Sequence, residues 1–195
     1  DVYKRQVYNP GKILYGRLPG YHLSDRGRAM AEATAKSFAG HDVTFLAHSP
    51  LLRAEETAQP ISEVTGLEPE VWEDIIEAGN RFEGLRVNAW NSQLWNPVRW
   101  PLLKDPSIPS WGEPYEQIAK RMLGAAKHAA EIAEGHEAIL VSHELPIVMV
   151  QRSVAGLPLP HNPARRKCAL ASVTSLHYCD GEILDIYYSE PAQEI

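Results

Sequence analysis

Two periods of apolar spacing alternate along the chain. Val43–His48 and residues 138–142 are short, largely apolar runs, the pattern of strands buried on both faces. Helical spacing fills the stretches around them. Ser24 stands before an Ala-rich segment and predicts an N-capped helix to about residue 37, closed by Gly40. Ser49-Pro50 predicts the opening of a second helix that carries Leu51, Leu52, Ala54, Thr57 and Ala58, with Pro60 bending or restarting it. Residues 70–72 suit a small strand. Residues 114–134 read as a long helix, with Pro114 near its first turn and Gly135 as its stop. Pro146 sits early in a helix after the second apolar run. Near the end, residues 173–178 and 182–188 flank Asp180-Gly181, a hairpin signal. No internal repeat or low-complexity tract interrupts this order. The alternation of strands and helices predicts an α/β domain with a mainly parallel sheet.

One segment breaks the pattern. Residues 88–111 hold Trp90, Trp95, Trp100 and Trp111, four of the five tryptophans, together with Pro97, Pro101, Pro106 and Pro109. The bland reading is an insertion packed on the core. The sharper one is a lid facing the substrate, since long irregular insertions often form binding surfaces.

Composition narrows the partners. A chain of 195 residues, 44% hydrophobic and 23% charged, fits one ordinary globular domain. A net charge of -6 and a pI near 5.8 argue against broad binding to nucleic acid or anionic membrane. Any anion site must then be a local cluster of cations. No apolar run has membrane-spanning length, and the run at 138–141 stops at Ser142-His143. Cys168 and Cys179 form no CxxC pair, which fits a reduced, cytoplasmic protein. No secretory signal is visible, and residues 1–6, which begin without methionine, match poorly with the segment from Val7 onward.

Several familiar sites are absent from the sequence: G-x-S-x-G, the P-loop, G-x-G-x-x-G and H-E-x-x-H. The eight histidines show no metal-ligand spacing, so neither a metal nor another cofactor is expected. There remains a set of polar residues at strand ends, where open α/β sheets bind ligands. His48-Ser49-Pro50-Leu51-Leu52-Arg53 puts Arg53 in the first turn of a helix, whose N–H groups and dipole already favour an anion. Val141-Ser142-His143-Glu144 puts His143 at the tip of an apolar strand. Taken singly, Arg53 is more often a surface cation and His143 a hydrogen-bonded core residue.

Together these residues resemble one family. S-P-L-x-R-A-x-x-T-A with V-S-H much later is similar to the histidine phosphatase superfamily, of phosphoglycerate mutase-like fold. Residues 7–27 (VYNPGKILYGRLPGYHLSDRG) resemble that family just after its opening R-H-G-E motif. Residues 76–84 (IEAGNRFEG) resemble the segment with its acid, and residues 172–176 (SVTSL) its closing strands. The likeness runs from Val7 onward and implies a three-layer sandwich, with helices on both faces of a mainly parallel central sheet. It also implies phosphoryl transfer through a phosphohistidine on a small phosphorylated substrate, with a carboxylic acid protonating the leaving oxygen.

Residue by residue, the resemblance gives Arg53 a forked grip on phosphate, suited to its planar guanidinium. It gives His143 a hydrogen bond or positive charge toward the phosphoryl group, and Glu77 the role of the acid, with Glu83 as rival. Asn9 and Arg17 are expected to line the substrate pocket. Glu144 stands where many relatives have glycine, and is expected either to turn away or to repel acidic substrates.

The main departure is at the start. Tyr3-Lys4-Arg5-Gln6 occupy the four slots of R-H-G-E, so Lys4 falls in the nucleophile's place. The expectation is that residues 1–6 are foreign sequence replacing a native first strand mid-sheet, and that residues 7–195 form a single domain. On that reading the chain is a phosphatase lacking its nucleophile. The alternatives are a degenerate module that binds phosphorylated ligands, or a phosphomutase. The sequence carries no signal of oligomeric state.

Overall fold

The computed structural model describes residues 6–86 and 112–195. Residues 1–5, with Lys4, and the Trp- and Pro-rich segment at 88–111 lie outside the described residues.

Strand β1 (Val43–His48) runs between β2 (Glu70–Val71) and β3 (Glu137–Val141), parallel to both. Successive side chains of a strand point to opposite faces, so a strand covered on both sides must be apolar at adjacent positions. Leu46 accordingly packs with Ala35 of α1 (Asp25–Ser37) and with Ala54, Ala58 and Ile61 of α2 (Leu52–Thr65). Its neighbours Phe45 and Ala47 face the other way, onto Ala129 of α3 (Tyr115–Ala133). In β3, Ile139 and Val141 join the first group, and Ala138 and Leu140 the second. Helix α4 (Glu144–Val154) lies against α3, with Val148 and Met149 packed among Ile118, Met122 and Ala125. The three layers predicted by the resemblance are therefore present. A fully buried side chain such as Leu46 contributes about 1.5–3 kcal/mol through this burial.

The ends of the elements obey their capping residues. Ser24 caps α1, its hydroxyl accepting from the Gly27 N–H at 3.0 Å. Helix α3 stops where Glu134 and Gly135 both take positive φ. Helix α2 departs from expectation: it runs unbroken through Pro60. The ring removes the hydrogen bond to the Glu56 carbonyl. Burial of Ala58 and Ile61 on either side holds the turn against the sheet, so packing overrides the local break.

β4 (Val173–Cys179) and β5 (Glu182–Ser189) form a separate antiparallel hairpin. Asp180 at φ 51 and Gly181 at φ 80 give its turn the paired positive φ of a type I′ hairpin. Among the described residues no ladder joins β3 to β4. A cleft of about 1160 Å³ separates them, bordered by all of β3 and by β4 from Val173 to Tyr178. Thr34 and Phe38 of α1 and Met122, Ala126 and Ala129 of α3 form its sides, and Arg53, Glu77, His143 and Glu144 also line it. No described helix is long and apolar enough to cross a membrane. Cys168 and Cys179 are free thiols, and burial pushes the Cys168 pKa up to about 11, which leaves it a poor nucleophile.

Candidate active site

The parallel register of β1 and β3 places His48 beside Val141, so the residues just beyond each strand emerge side by side. Ser49 is fully buried, and its N–H donates to the Val141 carbonyl at 3.0 Å. One step beyond β3, the Ser142 hydroxyl donates to the Ile75 carbonyl at 2.8 Å. His143 comes next, at the N-cap position of α4, its Nε2 hydrogen-bonded to Ser49 Oγ at 2.7 Å. Burial pulls the His143 pKa well below its ordinary value, and the charges of Arg53, Arg121 and Arg17 act in the same direction. His143 is neutral here and offers a hydrogen bond.

Arg53 enters from the first turn of α2 and is buried. Its Nη2 donates to the Gly16 carbonyl at 2.8 Å, and its guanidinium carbon lies 4.9 Å from the centre of the Tyr15 ring. Burial lowers the Arg53 pKa, while Glu77, Tyr15 and Glu83 oppose that shift. Tyr15 in turn stacks on Tyr21, ring centres 5.0 Å apart. The loop that holds Tyr15 and Gly16 is anchored by Glu56 of α2, which accepts from the Leu23 N–H at 2.6 Å and pairs with Arg28 at 2.7 Å. Gly16 has φ 41, a left-handed conformation that favours glycine, and a Cβ there would also displace the Glu83 side chain.

Glu77 lies just past the short 3₁₀ turn Glu73–Ile75. Three side chains fix the backbone around it: Ser142 on the Ile75 carbonyl, Arg121 on Asp74 at 2.7 Å, and Arg17 on Glu77 itself at 2.6 Å. Part of its surface opens onto the cleft, but protein surrounds the carboxyl, and this desolvation raises its pKa. The Ala78 N–H, 2.9 Å from Oε1, and the charge of Arg53 pull the other way without reversing the shift. A carboxyl with a raised pKa can hold a proton for transfer.

Arg53, His143, Glu77 and Glu144 all line one cleft. Two expected pocket residues do not join them. The Asn9 side chain closes its own loop, donating to the Ile13 carbonyl at 2.7 Å and accepting from the Ile13 N–H at 3.1 Å. These two bonds, each spanning four residues, occupy both ends of its amide. Arg17 lies behind Glu77 and pairs with Glu113 at 3.0 Å, which also holds Arg121 at 2.8 Å. Its guanidinium braces the Glu77 backbone. Glu83 accepts from the Asn80 N–H at 3.2 Å, a loop brace. Sequence reasoning passed over Ser49 and Tyr15 as contacts, although both lie inside the motifs that carry the resemblance. It also passed over Arg121 and Glu113, for which no local signal exists. Among the described residues no group of three or more His, Cys, Asp or Glu is placed to hold a metal ion.

The comparisons with known proteins agree with this fold. A Mycobacterium tuberculosis protein, "Uncharacterized protein Rv0525", is 47% identical over 187 residues, covering 96% of this chain and 93% of its own length. A "Probable phosphoglycerate mutase GpmB" from Yersinia enterocolitica is 26% identical over 179 residues, covering 86% of this chain and 79% of its own. The solved structure of mycobacterial glucosyl-3-phosphoglycerate phosphatase Rv2419c shares the fold, with a TM-score of 0.71 at 23% identity, covering 96% of this chain and 94% of its own. Bacillus stearothermophilus YhfR reaches a TM-score of 0.76 at 20% identity, covering 93% and 91%. The sequence profile of the histidine phosphatase superfamily (branch 1) matches residues 6–185. With that profile spanning nearly the whole chain, and a relative at 47% identity covering almost all of it, the chain belongs to the histidine phosphatase superfamily.

Proposed function

We propose that this chain is built for phosphomonoester hydrolysis through a phosphohistidine, with Arg53 and His143 holding the phosphoryl oxygens and Glu77 protonating the leaving oxygen. The observation that supports this reading is that these three side chains, from three separate segments, line one cleft on an acidic protein. Buried positive charge of this kind is costly unless an anion sits beside it. Arg53 presents a planar fork for phosphate oxygens. Neutral His143 has one ring nitrogen on Ser49, and its Nδ1 faces no partner among the described residues. Phosphoryl transfer then needs only an in-line nucleophile and a proton for the departing oxygen. An imidazole nitrogen bonds to phosphorus as the ester P–O bond breaks, and the Glu77 proton passes to the leaving oxygen. In the second half, water attacks phosphorus as the P–N bond to the imidazole breaks, and Glu77 takes a proton from that water.

The nucleophile belongs to the position that Lys4 occupies, so this chain performs no turnover. The open cleft along β3 supports the idea that an apolar strand ending in Arg-His-Gly-Glu fits ahead of Val7. The experiment compares hydrolysis of an aryl phosphate, in the presence of chelator, by the chain and by a variant with such a strand placed before Val7. Hydrolysis by the variant alone supports the reading. A well-folded variant that stays inactive sinks it and leaves the second reading, a phosphate-binding module, which Lys4 in the nucleophile slot favours.

A further inference from the structure

Ser49 is fully buried, and all of its polar groups are engaged. Its N–H donates to the Val141 carbonyl at 3.0 Å, and its carbonyl accepts from His48 Nδ1 at 2.8 Å. These two bonds pin the residue where β1 ends. Its Oγ meets two nitrogens. The Leu51 N–H donates to it at 3.4 Å from the N-cap position of α2, and His143 Nε2 lies 2.7 Å away at the N-cap position of α4.

A hydroxyl carries one hydrogen and accepts through its lone pairs. Suppose Nε2 supplied the hydrogen between the two side chains. Oγ would then receive two N–H groups, and its own hydrogen would have no acceptor among the described residues. A buried donor left in that state is costly and rare. If Oγ supplies the hydrogen instead, the Leu51 N–H, the serine hydroxyl and Nε2 are all satisfied. Burial and the charges of Arg53, Arg121 and Arg17 keep the ring neutral, so it carries one proton and not two. That proton then sits on Nδ1. His143 lines the cleft, and Nδ1 has no hydrogen-bond partner among the described residues.

We propose that Ser49 is a positioning residue that sets the tautomer of His143, holding the ring as Nδ1–H so that its free edge is a hydrogen-bond donor and never an acceptor. The ligand atom this edge takes is therefore a bare oxygen, such as the deprotonated oxygen of an oxyanion, and an N–H or O–H donor finds no partner there. The donors also run in one sense. Leu51 N–H gives to Ser49, Ser49 O–H gives to His143, and the ring gives to the ligand. The sequence starts at the positive end of the α2 dipole, and each bond polarises the next. That the ligand atom is a phosphoryl oxygen rests on the reading of the site proposed above; the tautomer does not.

The test is NMR of the His143 ring nitrogens in the full chain at neutral pH, alone and then with inorganic phosphate. The expected result is a proton on Nδ1 and a bare Nε2, the reverse of what a free neutral imidazole prefers. A proton on Nε2, or rapid exchange between the two nitrogens, overturns the proposal in the native chain without any variant. Ser49→Ala should lose the preference, with Nε2–H becoming at least as populated as Nδ1–H, and Ser49→Thr, which keeps a hydroxyl, should restore it. A folded Ser49→Ala that retains the native tautomer shows a merely structural serine and overturns the proposal as well. Phosphate should move the Nδ1–H signal downfield and bind about fivefold more weakly to Ser49→Ala, as one hydrogen bond implies. If the tautomer is as expected but phosphate leaves that signal in place, the phosphate-site reading fails and the role of Ser49 stands.

Discussion

His143 Nε2 and Ser49 Oγ meet at 2.7 Å across 94 residues of sequence. This contact ties together the carboxyl ends of β1 and β3 and orients the imidazole toward the cleft that Arg53 also lines. Because the serine is fully buried, the pair is set by strand register and not by solvent. Ser49→Ala leaves Nε2 without its partner. The expected outcome is a stability loss of about 1–3 kcal/mol in chemical denaturation, together with weaker phosphate binding.

His143 titrates well below the usual histidine range because it is buried and near three arginines. Between that lowered value and about 6.5, the unfolded chain binds more protons than the folded one. Stability therefore rises with pH across this window and is lost as pH falls through it. His143→Gln should flatten that part of the profile. Inorganic phosphate, by adding negative charge, should move the His143 NMR titration upward. A titration that ignores phosphate would show that no anion binds beside the ring.

Glu77 has the opposite sign. Its raised pKa means that the folded chain holds the proton more tightly than the unfolded chain. Stability falls as pH rises from the unfolded value through the folded one, and the penalty is complete above it. Glu77→Gln keeps an acceptor for the Ala78 N–H but removes the charge. It should unfold at higher denaturant than the native chain at neutral pH, with no gain at acid pH. In a strand-supplemented variant it should slow alkyl phosphates far more than an activated aryl ester, whose leaving group needs no proton. Glu83→Gln should show no such dependence, since Glu83 braces the Asn80 N–H.

Arg53→Lys keeps the charge and loses the fork that now reaches Gly16 over the Tyr15 ring. Inorganic phosphate should bind about 10–100-fold more weakly, consistent with a loss of roughly 1.5–3 kcal/mol for a hydrogen bond to a charged group. Unchanged affinity would place the anion elsewhere.

Glu113 holds Arg17 at 3.0 Å and Arg121 at 2.8 Å behind Glu77. Glu113→Ala leaves two arginines facing each other and should cost about 2–4 kcal/mol, read as a lower denaturation midpoint. Arg121 is the more sheltered partner, at 16% exposure against 37% for Arg17, so its loss should be the more damaging of the two.

Much of the fold was written locally. The largely apolar run at 43–48 reads as a strand covered on both faces, and Asp180-Gly181 reads as a hairpin turn, because period and turn chemistry act over a few residues. The ends of α1 and α3 were legible for the same reason, as were Arg53 and His143 at the tips of recognisable elements. Pro60 misled because its local penalty is overcome by buried Ala58 and Ile61, partners that belong to packing. The contacts of Asn9 and Arg17 depend on packing in a related way. Their residue types suit a pocket, but what a polar side chain contacts depends on which acceptor the fold brings within 3 Å, here the Ile13 carbonyl and the Glu77 backbone. The sequence by itself determined the elements, the family likeness and the chemical kinds of the site residues. Only the tertiary structure decided that His143 rests on Ser49, that Arg17 supports rather than lines the cleft, and that Arg166 stands beside Glu144. Those relationships join residues far apart in the chain, where hydrogen-bond geometry and burial are set by packing and leave no local pattern to read.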